Sequence, residues 1–158
     1  KSSVFCVGIG DNTIRGHIFE MYRQRIAFVN LIHPNAIISA SSMKSIENST
    51  GIIAGPGVVV SHGCEFGNGV ILGANSTVGH DSVLDGFSHV APGAVISGNV
   101  HLGSNGFVGS GAIVNPGSHD RKMLVGAGAT IGSGAVVTAP CAAGGVYVGV
   151  PAKPLHVD

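Results

Sequence analysis

The 158 residues include 26 glycines, 44% of the chain is hydrophobic, and only 10% is charged, with eight Lys and Arg against eight Asp and Glu. The aliphatic content excludes a disordered chain, glycine at this density argues against a helical bundle, and the balanced charge argues against a nucleic-acid partner. No apolar run reaches the ~20 residues of a membrane span and no signal sequence opens the chain, so we expect a cytoplasmic protein.

The first 32 residues have the pattern of a strand, a helix and a second strand. Residues 4–9 are apolar like a buried strand, and Asp11 stands in a turn where it can cap a helix. Residues 27–32 form the second strand candidate. Between them, apolar residues at helical spacing predict one face of the helix, with Arg15 on the other: Ile14, Ile18, Met21 and Tyr22. Because the chain lacks an initiator Met and begins in a strand-like run, we expect its natural N-terminus upstream of Lys1.

A six-residue repeat follows. From Val60 to Val114 every sixth residue is large and apolar, and the residue two positions before each one is small or medium-sized. This period does not match a helix, but it is typical of a short strand and a turn repeated many times. We therefore predict a parallel β-helix of the hexapeptide type, in which residues about 18 positions apart lie above one another.

The repeat is less regular at both ends. Upstream, Ile37, Ile46 and Ile52 suggest one or two imperfect coils. Downstream, the next large apolar residue after Val114 is Val125, so residues 116–122 are expected to leave the coil as a loop. Residues 146–154 end the repeat in a different style.

Histidine is the most informative polar residue. Inward side chains of a β-helix only pack, so chemistry must reside on outward or corner positions. His80 precedes Asp81, and a neighbouring carboxylate stabilises a protonated imidazole, which makes His80 the best candidate for proton transfer. His62 should lie in the same column one coil away. The eight histidines are His17, His33, His62, His80, His89, His101, His119 and His156.

Metal binding is the rival use of histidine. Hexapeptide β-helices that act as carbonic anhydrases hold zinc with three histidines, two of which stand about five residues apart. No two histidines in this sequence are three, four or five residues apart. We therefore expect no metal.

Three segments then carry a family resemblance: STVGHD at 76–81, FSHVAPG at 87–93 and VGVPAK at 148–153. Together with the repeat, they resemble the bacterial sugar acyltransferases of the sialic-acid O-acetyltransferase type. That group includes N-acetyltransferases that act on nucleotide-linked 4-amino-4,6-dideoxy sugars. The repeat by itself is shared by many acyltransferases, whereas the His-Asp pair followed by Ser-His-Val is more specific.

The resemblance implies a homotrimer of left-handed parallel β-helices that binds acetyl-CoA between neighbouring subunits. It divides the chain into residues 1–32, the C-terminal part of a truncated Rossmann-like domain for the nucleotide sugar, and residues 33–158, the acyltransferase domain. It also implies site residues. His80 would be the catalytic base and Asp81 its acidic neighbour. Acetyl-CoA would be contacted by His89, Gly98, Ser110, Ala127 and Lys153, and the nucleotide sugar by Gly10.

The resemblance thus predicts acetyl transfer from acetyl-CoA to an amino group, or a hydroxyl, of a nucleotide-activated amino sugar. One departure concerns the acceptor, because Gly73 stands where relatives carry Asn. Two alternatives stay open. The β-helix could be a catalytically silent scaffold or binding module, or the acceptor could be the hydroxyl of a simple sugar.

Overall fold

The computed structural model describes residues 3–155. The chain opens with β1 (Val4–Phe5), α1 (Asn12–Tyr22) and β2 (Ala27–Phe28), and β1 pairs in parallel with β2. The carboxylate of Asp11 accepts a hydrogen bond from the Ile14 N–H at 2.8 Å, so the predicted helix cap is confirmed. A strand–helix–strand unit therefore precedes the repeat.

The remainder winds into a parallel β-helix of about six turns, and three sheets form the faces of a prism. Face 1 contains β3 (Leu31–Ile32), β5 (Ile53–Ala54), β8 (Ile71–Leu72), β11 (His89–Val90), β14 (Phe107–Val108), β17 (Thr130–Ile131) and β19 (Val146–Val148). Face 2 contains β4 (Ile37–Ile38), β6 (Val59–Val60), β9 (Thr77–Val78), β12 (Val95–Ile96), β15 (Ile113–Val114) and β18 (Val136–Val137). Face 3 contains β7 (Glu65–Phe66), β10 (Val83–Leu84), β13 (Val100–Leu102) and β16 (Met123–Val125).

The six-residue repeat sets the register. Val83 pairs with His101 and His89 with Phe107, so residues 18 apart are neighbours in successive coils. All ten large apolar residues from Val60 to Val114 are buried, none of them more than 6% exposed. Each such side chain contributes about 1.5–3 kcal/mol when it is removed from water. The predicted β-helix is confirmed.

Two insertions interrupt this register. Val100 pairs with Met123, 23 positions on, so residues 116–122 leave the coil as predicted. His101 consequently stacks with Leu124, and the expected column of His101 and His119 is wrong.

In the first coil, α2 (Ala40–Glu47) occupies the place of a face 3 strand. Ile46 lies in this helix, so assigning it to a coil strand is wrong, whereas Ile37 does belong to a strand. The helix packs against β7 and buries Ile46 at 1% exposure. At the opposite end, β20 (Lys153–Pro154) runs antiparallel to β19 and ends the ladder.

The segment predicted as one strand at residues 27–32 is two strands. Phe28 pairs with Phe5 in the N-terminal sheet, whereas Leu31 pairs with Ile53 on face 1. Between them, the Asn30 side chain accepts from the Ile52 N–H and donates to carbonyl groups of Ile46 and Ser49, which turns the chain. The division of the chain at residues 32 and 33 stays a prediction.

The orientation of α1 differs from the prediction. Its buried residues are Arg15, Gly16 and Phe19, while Ile14 and Met21 are each 51% exposed. The reason is chemical: α1 docks on turns of the β-helix that present backbone carbonyl groups, which need a donor rather than an apolar stripe. Within residues 3–155, neither helix has the length and hydropathy to cross a bilayer.

Candidate active site

The turn that joins face 2 to face 3, here called the 2–3 corner, carries the best-defined polar group. In the third coil this corner holds His80 and Asp81, directly after β9. Nδ1 of His80 lies 2.9 Å from Oδ2 of Asp81. A carboxylate only accepts hydrogen bonds, so Nδ1 carries the proton and Nε2 is left as the basic nitrogen. Both side chains are 56% exposed and open to a reactant.

Gly98 lies one coil above His80. A Cβ at residue 98 would overlap the His80 imidazole, including Nε2 and Cε1. The imidazole therefore lies flat against backbone that carries no side chain. Within residues 3–155 the Gly98 N–H donates no hydrogen bond, so a donor lies near the basic nitrogen.

Asp81 is held as an anion by its surroundings. The hydrogen bond from His80 lowers the pKa of Asp81, and the charges of His62, His80 and Lys122 lower it further. The Lys122 ammonium donates to the backbone carbonyl of Asp81 and to Oδ1 of Asn99, the latter at 3.1 Å. The carboxylate is therefore ionised at neutral pH and able to stabilise an imidazolium.

The loop at residues 116–122 turns this corner into a cavity. The cavity has a volume of about 340 Å³ and is lined by His80, Asp81, Gly98, Asn99 and residues 116–119. Asn99 donates to the carbonyl of Ser118, and Lys122 anchors the end of the loop. The interruption of the repeat thus builds a wall beside the imidazole.

A second polar group lies on face 1. Nδ1 of His89 is 3.4 Å from the carbonyl oxygen of Gly10, which can only accept, and the His89 ring packs edge-on against Phe107 at 5.2 Å. Burial lowers the pKa of His89, so the ring is neutral at physiological pH. Gly10 also borders a cavity of about 300 Å³ together with Asn12 and Asn105. The structure therefore brings two predicted site residues, Gly10 and His89, together.

Arg15 fastens this second group to the β-helix. Its guanidinium donates to the carbonyl groups of Ile9, Gly69 and Phe87 at 2.8, 2.9 and 2.6 Å and to Oδ1 of Asn12 at 2.7 Å. It is 1% exposed, and burial lowers the pKa of Arg15 to about 10. Gly10 is thereby fixed relative to the coils.

The other predicted site residues lie apart. Ser110 is at an exposed corner between faces 1 and 2, Ala127 is at an exposed corner between faces 3 and 1, and Lys153 is exposed in β20. Carbonyl groups of Ser110 and Ala127 accept from the next coil, whereas their N–H groups donate nothing within residues 3–155. Their roles stay predictions.

Within one chain, the two polar groups are on different sides of the prism. His80, Asp81 and Gly98 occupy the 2–3 corner, and that corner lies opposite face 1, where His89 and Gly10 meet. A single subunit cannot bring both groups to one reactant.

Sequence reasoning missed two residues that shape these groups. Arg15 was placed on a solvent face, and Lys122 had no assigned role. The only signals were indirect: Arg15 follows the capping residue Asp11 by one helical turn, and Lys122 ends the interruption of the repeat.

Comparison with known proteins decides the family. The acetyltransferase domain of PglB from Neisseria gonorrhoeae FA1090, solved in complex with acetyl coenzyme A, is 35% identical, with a TM-score of 0.85 over 95% of this chain and 69% of that one. The chain belongs to the bacterial sugar N-acetyltransferases of the hexapeptide-repeat type. The predicted resemblance is confirmed, although no family model matches the chain.

Other members of this acetyltransferase family agree. PerB from Caulobacter crescentus, in complex with CoA and GDP-perosamine, is 30% identical, with a TM-score of 0.89 over 98% of this chain and 70% of that one. GDP-perosamine N-acetyltransferase of Escherichia coli O157:H7 is 32% identical over 125 residues, which are 78% of this chain. The chain spans about half, 55%, of that curated enzyme.

Proposed function

We propose that the protein transfers an acetyl group from acetyl-CoA to the amino group of a nucleotide-linked sugar, with His80 as general base. One observation carries the proposal: Asp81 holds Nδ1 of His80, and the free Nε2 faces a cavity beside an unused backbone N–H. The relatives solved with acetyl-CoA, or with CoA and GDP-perosamine, support this donor and this class of acceptor.

The geometry suits proton transfer coupled to attack on a thioester, which supplies the activated acyl carbonyl. Nε2 of His80 takes the proton of the acceptor amine as the new C–N bond forms. Asp81 stabilises the imidazolium that results. The Gly98 N–H stabilises the negative charge that develops on the carbonyl oxygen. His80 then returns its proton to the departing sulfur, which balances the reaction without a covalent acyl-enzyme or a metal.

The remaining predicted roles belong to the same proposal. His89 and the backbone at Ser110 and Ala127 contact acetyl-CoA, Lys153 approaches its phosphates, and Gly10 faces the nucleotide sugar. The exposed ammonium of Lys153 and the unused N–H groups of Ser110 and Ala127 are suited to an anionic cofactor. Three free cysteines and the cytoplasmic source of acetyl-CoA support the cytoplasm as the location.

A homotrimer completes the site. Face 2 presents an uncharged column of β-branched side chains, and several are well exposed, including Ile37 at 70% and Ile113 at 38%. Face 1 is partly covered by the segment containing α1, and face 3 by α2. The open apolar face suits association between copies, and a cyclic arrangement brings the 2–3 corner of one subunit to face 1 of its neighbour.

The first test is the replacement His80→Ala. Turnover should fall by ~10²–10⁴, the usual contribution of a general base, while the trimer mass measured by light scattering is unchanged. His101→Ala is the matched control, because Nε2 of His101 contacts Asp85 at the same 2.9 Å but faces no cavity that contains the predicted site. Near-normal CoA release by the His80 variant would refute the assignment.

The same assay separates the alternatives. GDP-perosamine, other nucleotide-linked 4-amino sugars and free sugars are compared as acceptors by the release of CoA thiol. Preference for a free sugar hydroxyl would favour the second acceptor class. A silent scaffold would give no saturable heat on titration with acetyl-CoA.

A further inference from the structure

Three polar side chains meet at the 2–3 corner across two successive coils. The rings of His62 and His80 are parallel within 10°, and their centroids are 5.5 Å apart. The ligand atoms of His62, His80 and Asp81 all lie within 4.8 Å of one another. In the part of the chain that the structure describes, this is the one group of three or more His, Cys, Asp or Glu side chains that converges in this way.

The fold preforms this group. His62 and His80 are 18 residues apart, so the coil places them in one column and spaces them by one rung. Gly63 makes room for the third member, because a Cβ at this position would overlap Oδ1 of Asp81. The carboxylate therefore lies beside the lower imidazole as well as the upper one.

Spacing along the sequence argued against a metal site, because no two histidines are three to five residues apart. In a β-helix, however, neighbours in space are a full coil apart in sequence. The column of His62 and His80 is thus the arrangement in which this fold would present two imidazoles to one ion.

The chemistry of the group suits a transition metal. Imidazole and carboxylate together bind Zn²⁺, Ni²⁺ and Cu²⁺ in preference to Mg²⁺. Two ligands of a tetrahedral zinc ion are about 3.3 Å apart, so small rotations of exposed side chains are needed. All three side chains are exposed and free to make them, and water can fill the remaining coordination position.

We propose that His62, His80 and Asp81 form an inhibitory site for a divalent transition metal ion. A metal on Nε2 of His80 occupies the lone pair that would accept the acceptor's proton, so binding and catalysis exclude each other. Metal binding does not depend on the proposed function, whereas inhibition rests on it. Lys122 is the nearby cation, and its ammonium weakens binding, which makes the inhibition reversible.

The binding test uses tag-free, EDTA-treated protein titrated with ZnCl₂ in a calorimeter. We expect saturable binding of Zn²⁺ to the wild-type protein and affinity reduced roughly tenfold or more in His62→Asn, which lacks one ligand. His101→Asn is the matched control and should bind like the wild type, because its partner Asp85 has no second imidazole nearby. Titration with Co²⁺ should show no thiolate charge-transfer band, which excludes the cysteines as ligands.

The kinetic test measures CoA release with and without Zn²⁺. In EDTA, His62→Asn should turn over like the wild type, and it alone should resist Zn²⁺, whereas Mg²⁺ should inhibit neither protein. Equal zinc affinity in wild type and His62→Asn overturns the site, and equal inhibition overturns its link to catalysis. A protein without acetyltransferase activity would refute the proposed function and the inhibition, while the calorimetric result would still decide the metal site.

Discussion

At the residue scale, the position of His80 depends on a side chain that is missing. Gly98 has no Cβ, and the imidazole of His80 lies where that atom would project. The hydrogen bond to Asp81 fixes the other edge of the ring. The catalytic nitrogen is thus oriented by a carboxylate on one side and by bare backbone on the other.

This arrangement predicts a specific effect of Gly98→Ala. The imidazole is exposed and can rotate away from a methyl group, so the fold should survive, but Nε2 would move. A displacement of about 1 Å in a reacting group costs on the order of 10² in rate. Steady-state kinetics should show a lower kcat with an unchanged melting temperature.

Gly86→Ala is the matched control. Gly86 has the same position in the repeat two hexapeptides earlier, and a Cβ there would meet only ordinary contacts, the nearest at 3.5 Å from the Asn68 carbonyl oxygen. This variant should keep wild-type turnover. If Gly98→Ala were equally active, the ring position would not matter for the reaction.

Some of these residues could be predicted and others could not. His80 and Asp81 are adjacent in sequence, so their pairing needs only a local contact. The stacking of His62 on His80 follows from the coil length alone. Lys122 reaches Asp81 only through the path of an irregular loop, and no periodic pattern encodes that path.

At the element scale, α1 is attached to the β-helix by polar contacts rather than by its apolar stripe. Arg15 supplies most of them, and Phe19 adds an aromatic contact with Phe87 at 5.4 Å. Phe87 has φ 60°, a conformation that costs a side chain of this size about 1–2 kcal/mol. The strained turn presents its carbonyl group to Arg15, so the docking contacts offset the strain.

Arg15→Met should therefore release α1. Methionine fills similar volume but leaves several backbone carbonyl groups without a donor, at a cost of about 3 kcal/mol. Limited proteolysis should then cleave within residues 9–30 while the coils remain intact. Arg23→Met removes only an exposed contact with Glu20 and should behave like the wild type. Equal protease resistance of the Arg15 variant would contradict this account.

Prediction from sequence succeeds for elements where the pattern is periodic. The strands from Val60 to Val114 follow from one rule, because every inward position packs against its equivalent in the next coil. The rule says nothing about α2, where a helix satisfies the same position on face 3. It also misplaces α1, because hydropathy does not reveal a surface made of carbonyl groups.

At the scale of the whole molecule, the two polar groups predict activity shared between subunits. If His80 of one chain works with His89 of its neighbour, His80→Ala and His89→Ala proteins should each be impaired alone. Mixed and reassembled in equal amounts, they should regain about a quarter of wild-type turnover, because most trimers then contain one intact site.

Two controls make the mixing experiment decisive. The two variants mixed without dissociation of the trimers should regain nothing. Wild-type protein taken through the same dissociation and reassembly should recover its full turnover. Reassembled mixtures that stay as inactive as their parents would mean that each site is formed within a single chain.

The ends of the solenoid have a consequence for the behaviour of the protein at high concentration. A stack of parallel rungs exposes unpaired amide and carbonyl groups at its first and last coil, and such edges can recruit further strands. Here a helix, α2, replaces one edge strand at the start, and β20 runs backwards across the other end. Neither terminus offers a template for growth, so subunits that associate sideways into closed rings are protected from polymerising lengthwise into fibrils.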